Sequence, residues 1–109
     1  RQDVAVGRVW VVGSVNVDRP WHVERHRVVG ETVLGAALDP VPGGKGLNLA
    51  VAAARQGAEV VLVAAVGDDD DGRWLVGVAE AEGIDVGRVV ADPGRPTGTA
   101  LIVVAADGA

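Results

Sequence analysis

Two short stretches of the chain are apolar without interruption, the pattern of strands covered on both faces of a parallel sheet. The first is Val9 to Val12 within "RVWVVGSVNVD", ending at Gly13 and Ser14, which predicts a central strand; the second is "EVVLVAAVG", from Glu59 to Gly67. Between them the pattern changes to a helix from about Gly46 to Gln56, with Gly57 as its C-terminal stop. Leu47, Leu49, Ala50, Val51, Ala52, Ala53 and Ala54 leave that helix hardly any polar face. Such a helix is expected to be buried all round, between the sheet and its neighbours. Strand, helix and strand in this order predict a parallel crossover.

Elsewhere the patterning is weaker. "NVDRPWHVERHRVV" alternates loosely and predicts a half-exposed strand or arm, and Thr32 to Leu38 is a short strand candidate bounded by Gly30, Pro40 and Pro42. "DDDDGRWLVGVAEAEG" reads as a helix with acidic residues at its start, a stripe of Trp74, Leu75, Val78 and Ala79, and Gly83 at its end. "GTALIVVAADGA" reads as a strand running into Asp107-Gly108, a dipeptide suited to a tight hairpin. The returning strand does not follow within the 109 residues, so the chain is expected to be truncated. No internal repeat is present.

Composition narrows the chemistry. A chain of 109 residues can bury somewhat over ~60% of its unfolded surface, enough for one modest core. Val, Ala, Leu and Ile must build that core, because Phe, Tyr, Met and Cys are absent. Without Cys there are no disulfides or thiolate metal sites, which favours a reducing, cytoplasmic setting. His22 and His26 are the only imidazoles, and Pro20 argues against the helix that would align them on a metal, so no metal site is expected. The net charge is −5, but Asp68, Asp69, Asp70 and Asp71 supply four of those negatives. No basic stripe exists to neutralise a phosphate backbone, so nucleic acid is not an expected partner. The longest charge-free run, Pro96 to Ala106, is too short for the roughly 18 residues a membrane helix needs, and no membrane association is expected.

The glycine-lysine segment "PVPGGKGLNLAVAAARQG" invites a phosphate-loop test, and it fails: Asp39 stands where the first glycine belongs and Gly46 where Ser or Thr belongs. After the first strand, Gly13 is followed by Ser14, Val15 and Asn16, with no further glycines for a dinucleotide. "GDDDDG" fails as a calcium loop, since Gly67 and Val78 occupy ligand positions. Asp68 to Asp71 are better read as capping a helix and complementing its dipole. What remains is a polar set from two separated segments. Asn16 and Asp18 project to one side if extended, while Gly43, Gly44, Lys45 and Asn48 bring small residues, a cation and outward-pointing helix N–H groups. Such groups suit the hydroxyls of a polyol. Spacing alone equally allows a simple turn at Asn16 and Asp18 with Lys45 solvated.

"VVGSVNVD", "GETVLG", "PGGKGLNLAVAAARQGAEVVLVAAVGDDDDG" and "PTGTALIVV", in this order and spacing, resemble the N-terminal part of ribokinases in the PfkB carbohydrate kinase family. The resemblance runs over nearly all of residues 1–109, and covers about the first third of a complete member. It implies an α/β, Rossmann-like ribokinase fold whose parallel core strands carry a small β lid, with lid strands near 17–42 and 87–109. The implied activity is transfer of phosphate from ATP to D-ribose, giving ribose 5-phosphate and ADP, with Mg2+ and an activating K+ in the complete enzyme and homodimer contact through the lid. The substrate-binding residues it implies are Asn16, Asp18, Gly44, Lys45 and Asn48, with Ala100 and Ile102 covering the sugar's apolar face. The family's catalytic base is an Asp in a Gly-Ala-Gly-Asp segment, which the 109 residues do not include. This chain alone is therefore expected to hold no catalytic residue, to bind no nucleotide or metal, and to be inactive. Arg19, Leu47 and Leu49 stand where ribokinases more usually carry an apolar or aromatic residue, Ala and Gln. The alternatives are a non-catalytic sugar-binding or interaction fragment, and a related kinase for another sugar or a nucleoside.

Overall fold

A computed structural model of the protein describes residues 7–23 and 35–105. The two apolar runs form β1 (Arg8–Val12) and β5 (Glu59–Gly67), which pair in parallel from Arg8 with Glu59 to Val12 with Val63. Between them in sequence lie β2 (Asn16–Val23), β3 (Gly35–Ala37), β4 (Val41–Gly43) and α1 (Lys45–Arg55). After β5 come α2 (Asp70–Ala81), β6 (Asp85–Asp92) and β7 (Gly98–Ala105). These strands make two sheets. The first is parallel, in the order β1-β5-β6; in the second, β2 is the hub, pairing β7 in parallel along one side and β4 and β3 antiparallel along the other. A β2-to-β4 excursion is thus inserted into the expected crossover from β1 through α1 to β5. Among the described residues, no helix is long and apolar enough to cross a membrane.

One apolar cluster holds the parallel sheet and both helices together. Val11 of β1, Val60, Leu62 and Val66 of β5, Leu47 and Ala50 of α1, Leu75 and Ala79 of α2, and Ile84 pack into it. A fully buried Leu contributes roughly 1.5–3 kcal/mol by leaving water, so Leu47, Leu62 and Leu75 are its main anchors. Val17 of β2 joins the same cluster and is completely buried. Strand alternation then puts Asn16 and Asp18 on the other face of β2.

Both helices end as their glycines predict. Gly57 and Gly83 adopt φ of +94° and +80°, the left-handed conformation that closes a helix, and Ala58 and Ile84 then donate back to Ala53 and Ala79. At the start of α2, Asp69 is the N-cap, accepting from the Gly72 N–H at 2.8 Å. Thr97 is buried behind it, its hydroxyl accepting from the Gly67 N–H at 2.9 Å and donating to Asp69 at 2.5 Å, while its own N–H donates to Asp69 at 2.9 Å. These donors, the hydroxyl foremost, hold the Asp69 carboxyl below the usual carboxylate range.

Four expectations change. Among the described residues β1 is an edge strand rather than a central one, and Trp10 and Val12 are exposed on the face away from the helices, with the Arg88 guanidinium 4.8 Å from the Trp10 ring centroid. Helix α1 is buried along one side only, at Gly46, Leu47 and Ala50, while Leu49 is 63% exposed. Residues 87–92 of the expected second lid segment lie in β6, within the parallel sheet. "VPG", bracketed by turn signals, is a strand; Pro42 fits there because β4 pairs only with β2 among the described residues. The hairpin expected at Asp107-Gly108, Thr32 to Leu34 of the third strand candidate, and His26 lie outside the described residues.

Candidate functional site

The end of β1, the start of β2 and the N-terminus of α1 converge on one spot, and glycine is what lets them. A Cβ on Gly13 would stand 2.8 Å from the Gly46 Cα, and one on Gly46 would stand 2.6 Å from the Gly13 carbonyl carbon. Strand end and helix start therefore touch backbone to backbone. Ser14 fastens the contact: its hydroxyl accepts from the Lys45 N–H at 3.1 Å and its carbonyl from the Leu47 N–H at 3.1 Å. Gly44, the N-cap position, makes no side-chain cap, so Ser14 caps α1 from another segment. Two N–H groups expected to point outward for a ligand are thereby already bonded. Ser14 escaped the sequence analysis because a cap is normally sought next to its helix, and this one lies 31 residues away.

Asn16 and Asp18 stand side by side on β2, and the Asn16 amide donates to Asp18 Oδ1 at 2.7 Å. Across the ladder Asn16 pairs with Gly43 and Gly98, and Asp18 with Val41 and Ala100. A side chain at Gly43 would collide with the Asp18 carboxylate. At Gly44, where φ is +98°, a Cβ would lie 2.5 Å from the Ser14 carbonyl oxygen and 2.9 Å from Asn16 Oδ1. The space over both glycines is thus used from within the protein, to seat the Asn16 and Asp18 side chains. With one Asp18 oxygen held by Asn16, the carboxylate keeps acceptor capacity in a fixed direction.

The other candidate residues are placed less tightly. Lys45 is exposed at the first position of α1, directly after Gly44. Asn48 sits one turn further on, its N–H donating to the Gly44 carbonyl at 2.9 Å, and it lines an open groove with Pro42, Val51, Arg55, Val78 and Glu82 between the two helices. Ala100 flanks Asp18 across the parallel ladder, and Ile102, paired with Pro20, is the next residue on that face, 41% exposed. Asn16, Asp18, Gly44 and Ala100 are therefore one cluster, with Lys45 adjoining it and Asn48 and Ile102 at its margins. Among the described residues, no three His, Asp or Glu side chains are grouped to hold a metal ion.

A family model described as pfkB family carbohydrate kinase matches residues 7–109. The chain belongs to the pfkB family. Ribokinase of Bacillus subtilis is 41% identical over 97 residues, which are 89% of this chain and 33% of that protein. The solved structure of Cryptococcus neoformans ribokinase in complex with ADP superposes with a TM-score of 0.84 at 39% identity, over 94% of this chain and 32% of the other. Arabidopsis thaliana ribokinase complexed with ribose and ATP superposes with a TM-score of 0.82 at 28% identity, over 96% and 34%. This pfkB chain thus spans about a third of the length of each of these relatives, and its fold is that part of the ribokinase fold.

Proposed function

We propose that this chain supplies the sugar-holding half of an ATP-dependent carbohydrate kinase whose substrate is D-ribose. The observation that carries the reading is the Asn16–Asp18 pair, fixed by a 2.7 Å hydrogen bond and seated over Gly43 and Gly44. The ribokinase names among its relatives support it, as does the presence of ribose and ATP in the Arabidopsis complex. In this reading Asp18 accepts hydrogen bonds from two sugar hydroxyls, Asn16 and Asn48 accept or donate, and Lys45 donates. Gly44 keeps the cluster open, and Ala100 and Ile102 cover the apolar face of the ring. The second sheet is the lid, and its exposed Trp21, Leu101 and Val103 are the homodimer contact.

Phosphoryl transfer is mostly a matter of holding an acceptor hydroxyl in line and screening it from water. This cluster can do the holding. ATP, when bound, supplies the phosphoryl group, with Mg2+ and K+ as its ionic partners in the cytoplasm. The residues here do not fit it, because the Lys45 and Leu47 N–H groups at the start of α1 are bonded to Ser14 and the sequence has no phosphate loop. The chain's own part lies on the acceptor side.

Titration calorimetry with ribose tests the assignment. Hydrogen bonds to a charged group are worth about 1.5–3 kcal/mol, so Asp18→Asn is expected to weaken ribose binding by roughly 10- to 100-fold. Binding of ATP by the complete kinase should stay within about twofold. Unchanged ribose affinity in this variant refutes the pocket, and tighter binding of another sugar by the unmodified protein moves the substrate within the family.

A further inference from the structure

The four consecutive aspartates divide their work by position. Asp70, on α2, and Asp68, just before it, pair with Arg73 at 2.9 and 3.0 Å on the exposed side of the helix. Asp69 and Asp71 reach instead to the second sheet. Asp69 holds Thr97, the residue immediately before β7, and Asp71 accepts from Arg19 of β2 at 2.6 Å across 52 residues of sequence. The two strands that pair along the length of the second sheet are thus each tied at their root to the first turn of α2.

The two ties differ in kind. Asp69 accepts two bonds from Thr97, whose buried hydroxyl accepts a third from the Gly67 N–H, and together they make a fixed pin. Arg19 and Asp71 are 41% and 37% exposed, reached by water and salt, and form a contact that can open. Arg19 follows Asp18 directly, and strand alternation sends the two side chains to opposite faces of β2. Whatever anchors Arg19 therefore fixes, through a single residue step, how Asp18 sits over Gly43.

We propose that Arg19 and Asp71 are positioning residues: their ion pair latches the root of the second sheet to α2 and so holds Asp18 in its binding geometry beside Asn16. The part that concerns sugar rests on the function proposed above; the latch itself does not. Preorganisation of this kind acts on affinity by raising the fraction of molecules already in the binding geometry. It is directional, because opening the latch loosens β2 beyond Val17, which the apolar cluster still holds.

Amide hydrogen exchange on the ligand-free protein, followed by ribose titration, tests this with Arg19→Gln, Asp71→Asn, the double variant and Arg19→Lys. The scale of an exposed ion pair sets the expected effect at about two- to fivefold. Exchange at 17–23 and 98–101 should quicken by that factor in either single variant, while β5 amides keep their rates and report an intact core. The double variant should be no worse than either single one, Arg19→Lys should retain most of the protection, and high salt should bring the unmodified protein toward the variants. Ribose affinity should fall by the same two- to fivefold. Unaltered exchange in β2, or effects that simply add in the double variant, overturns the latch. Faster exchange with undiminished ribose affinity overturns the positioning role. If the unmodified protein binds no ribose, the proposed function fails and the positioning role falls with it, while the exchange rates still decide whether the latch exists.

Discussion

The two sheets of this molecule meet at Val17 and are held by different forces. On the parallel sheet, one face is packed by Leu47, Leu62, Leu75 and their aliphatic neighbours, and its strength is apolar area removed from water. The second sheet has Val17 and Val23 as buried anchors, with Leu101, Ile102 and Val103 exposed along β7. It depends on its backbone ladder, on glycines that let segments approach, and on polar ties at Ser14, Asp69 and Asp71. Apolar packing gives rigidity, whereas polar ties give direction and can be undone. A binding cluster placed at the boundary, as Asn16 and Asp18 are, takes its footing from the first and its adjustability from the second.

Removing apolar volume should separate the two regions most sharply. Leu62 is 1% exposed at the centre of the cluster, and Leu62→Ala is expected to cost about 2–5 kcal/mol, part transfer and part cavity. Leu101→Ala on the second sheet deletes the same atoms at 65% exposure and should change stability by no more than about 0.5 kcal/mol when measured at protein concentrations where the chain is monomeric. Urea unfolding followed by circular dichroism reads both. Equal losses would mean that the second sheet is packed against something that hides Leu101, and the contrast drawn here would fail.

Next in size is the pin between the regions. Thr97→Val keeps the shape of the side chain but leaves the Gly67 N–H without its acceptor in a buried place, and takes from Asp69 its hydroxyl donor. An orphaned buried donor costs about 1–3 kcal/mol, and the same unfolding measurement should show it. Thr97→Ser retains the hydroxyl and should recover most of the loss. If valine is tolerated and serine is the costly substitution, the methyl group matters rather than the bonds, and the region is held by packing after all.

How much of this was legible in the sequence follows the same division. Elements that bury a continuous apolar run announced themselves: β5 spans Glu59–Gly67 as read, and α2, with its acidic start and Gly83 stop, lies within its predicted limits. Strand β6, "DVGRVVAD", is mostly exposed and broken by Gly87 and Arg88, so its pattern carries no apolar run, and the resemblance assigns its residues 87–92 to the lid rather than to the parallel sheet. Strand β4 was hidden by Pro42 and Gly43, residues that ordinarily mark turns and here sit on an edge among the described residues. The all-apolar look of α1 suggested burial on every side, but alanine is neutral enough to face water, and only one side meets the sheet. Around the candidate site, residue types and spacing indicated which side chains could converge. They could not indicate that Ser14 would cap α1 or that Arg19 would find Asp71, because both are contacts between segments distant in sequence.

The smallest effect is the most diagnostic, because it belongs to Asp69 at the junction. Its carboxyl lies below the usual range, chiefly through the Thr97 hydroxyl and then the Thr97 and Gly72 N–H groups. A carboxyl whose folded pKa is depressed adds stability at pH above its unfolded value, near 4, and loses that contribution as pH falls through the folded value, since the unfolded chain then takes up the proton more readily. Unfolding curves between about pH 5 and 3 should therefore show stability falling with acid, and Asp69→Asn should fall less steeply while starting lower. Glu82, depressed by its hydrogen bond to Arg55, adds to the same slope in both proteins, so the difference between them isolates Asp69. Thr97→Val should flatten the slope as well, because it removes the largest cause of the depression. A variant slope equal to that of the unmodified protein would mean that the carboxylate at the head of α2 is not held by Thr97, and the second sheet would lose its fixed pin.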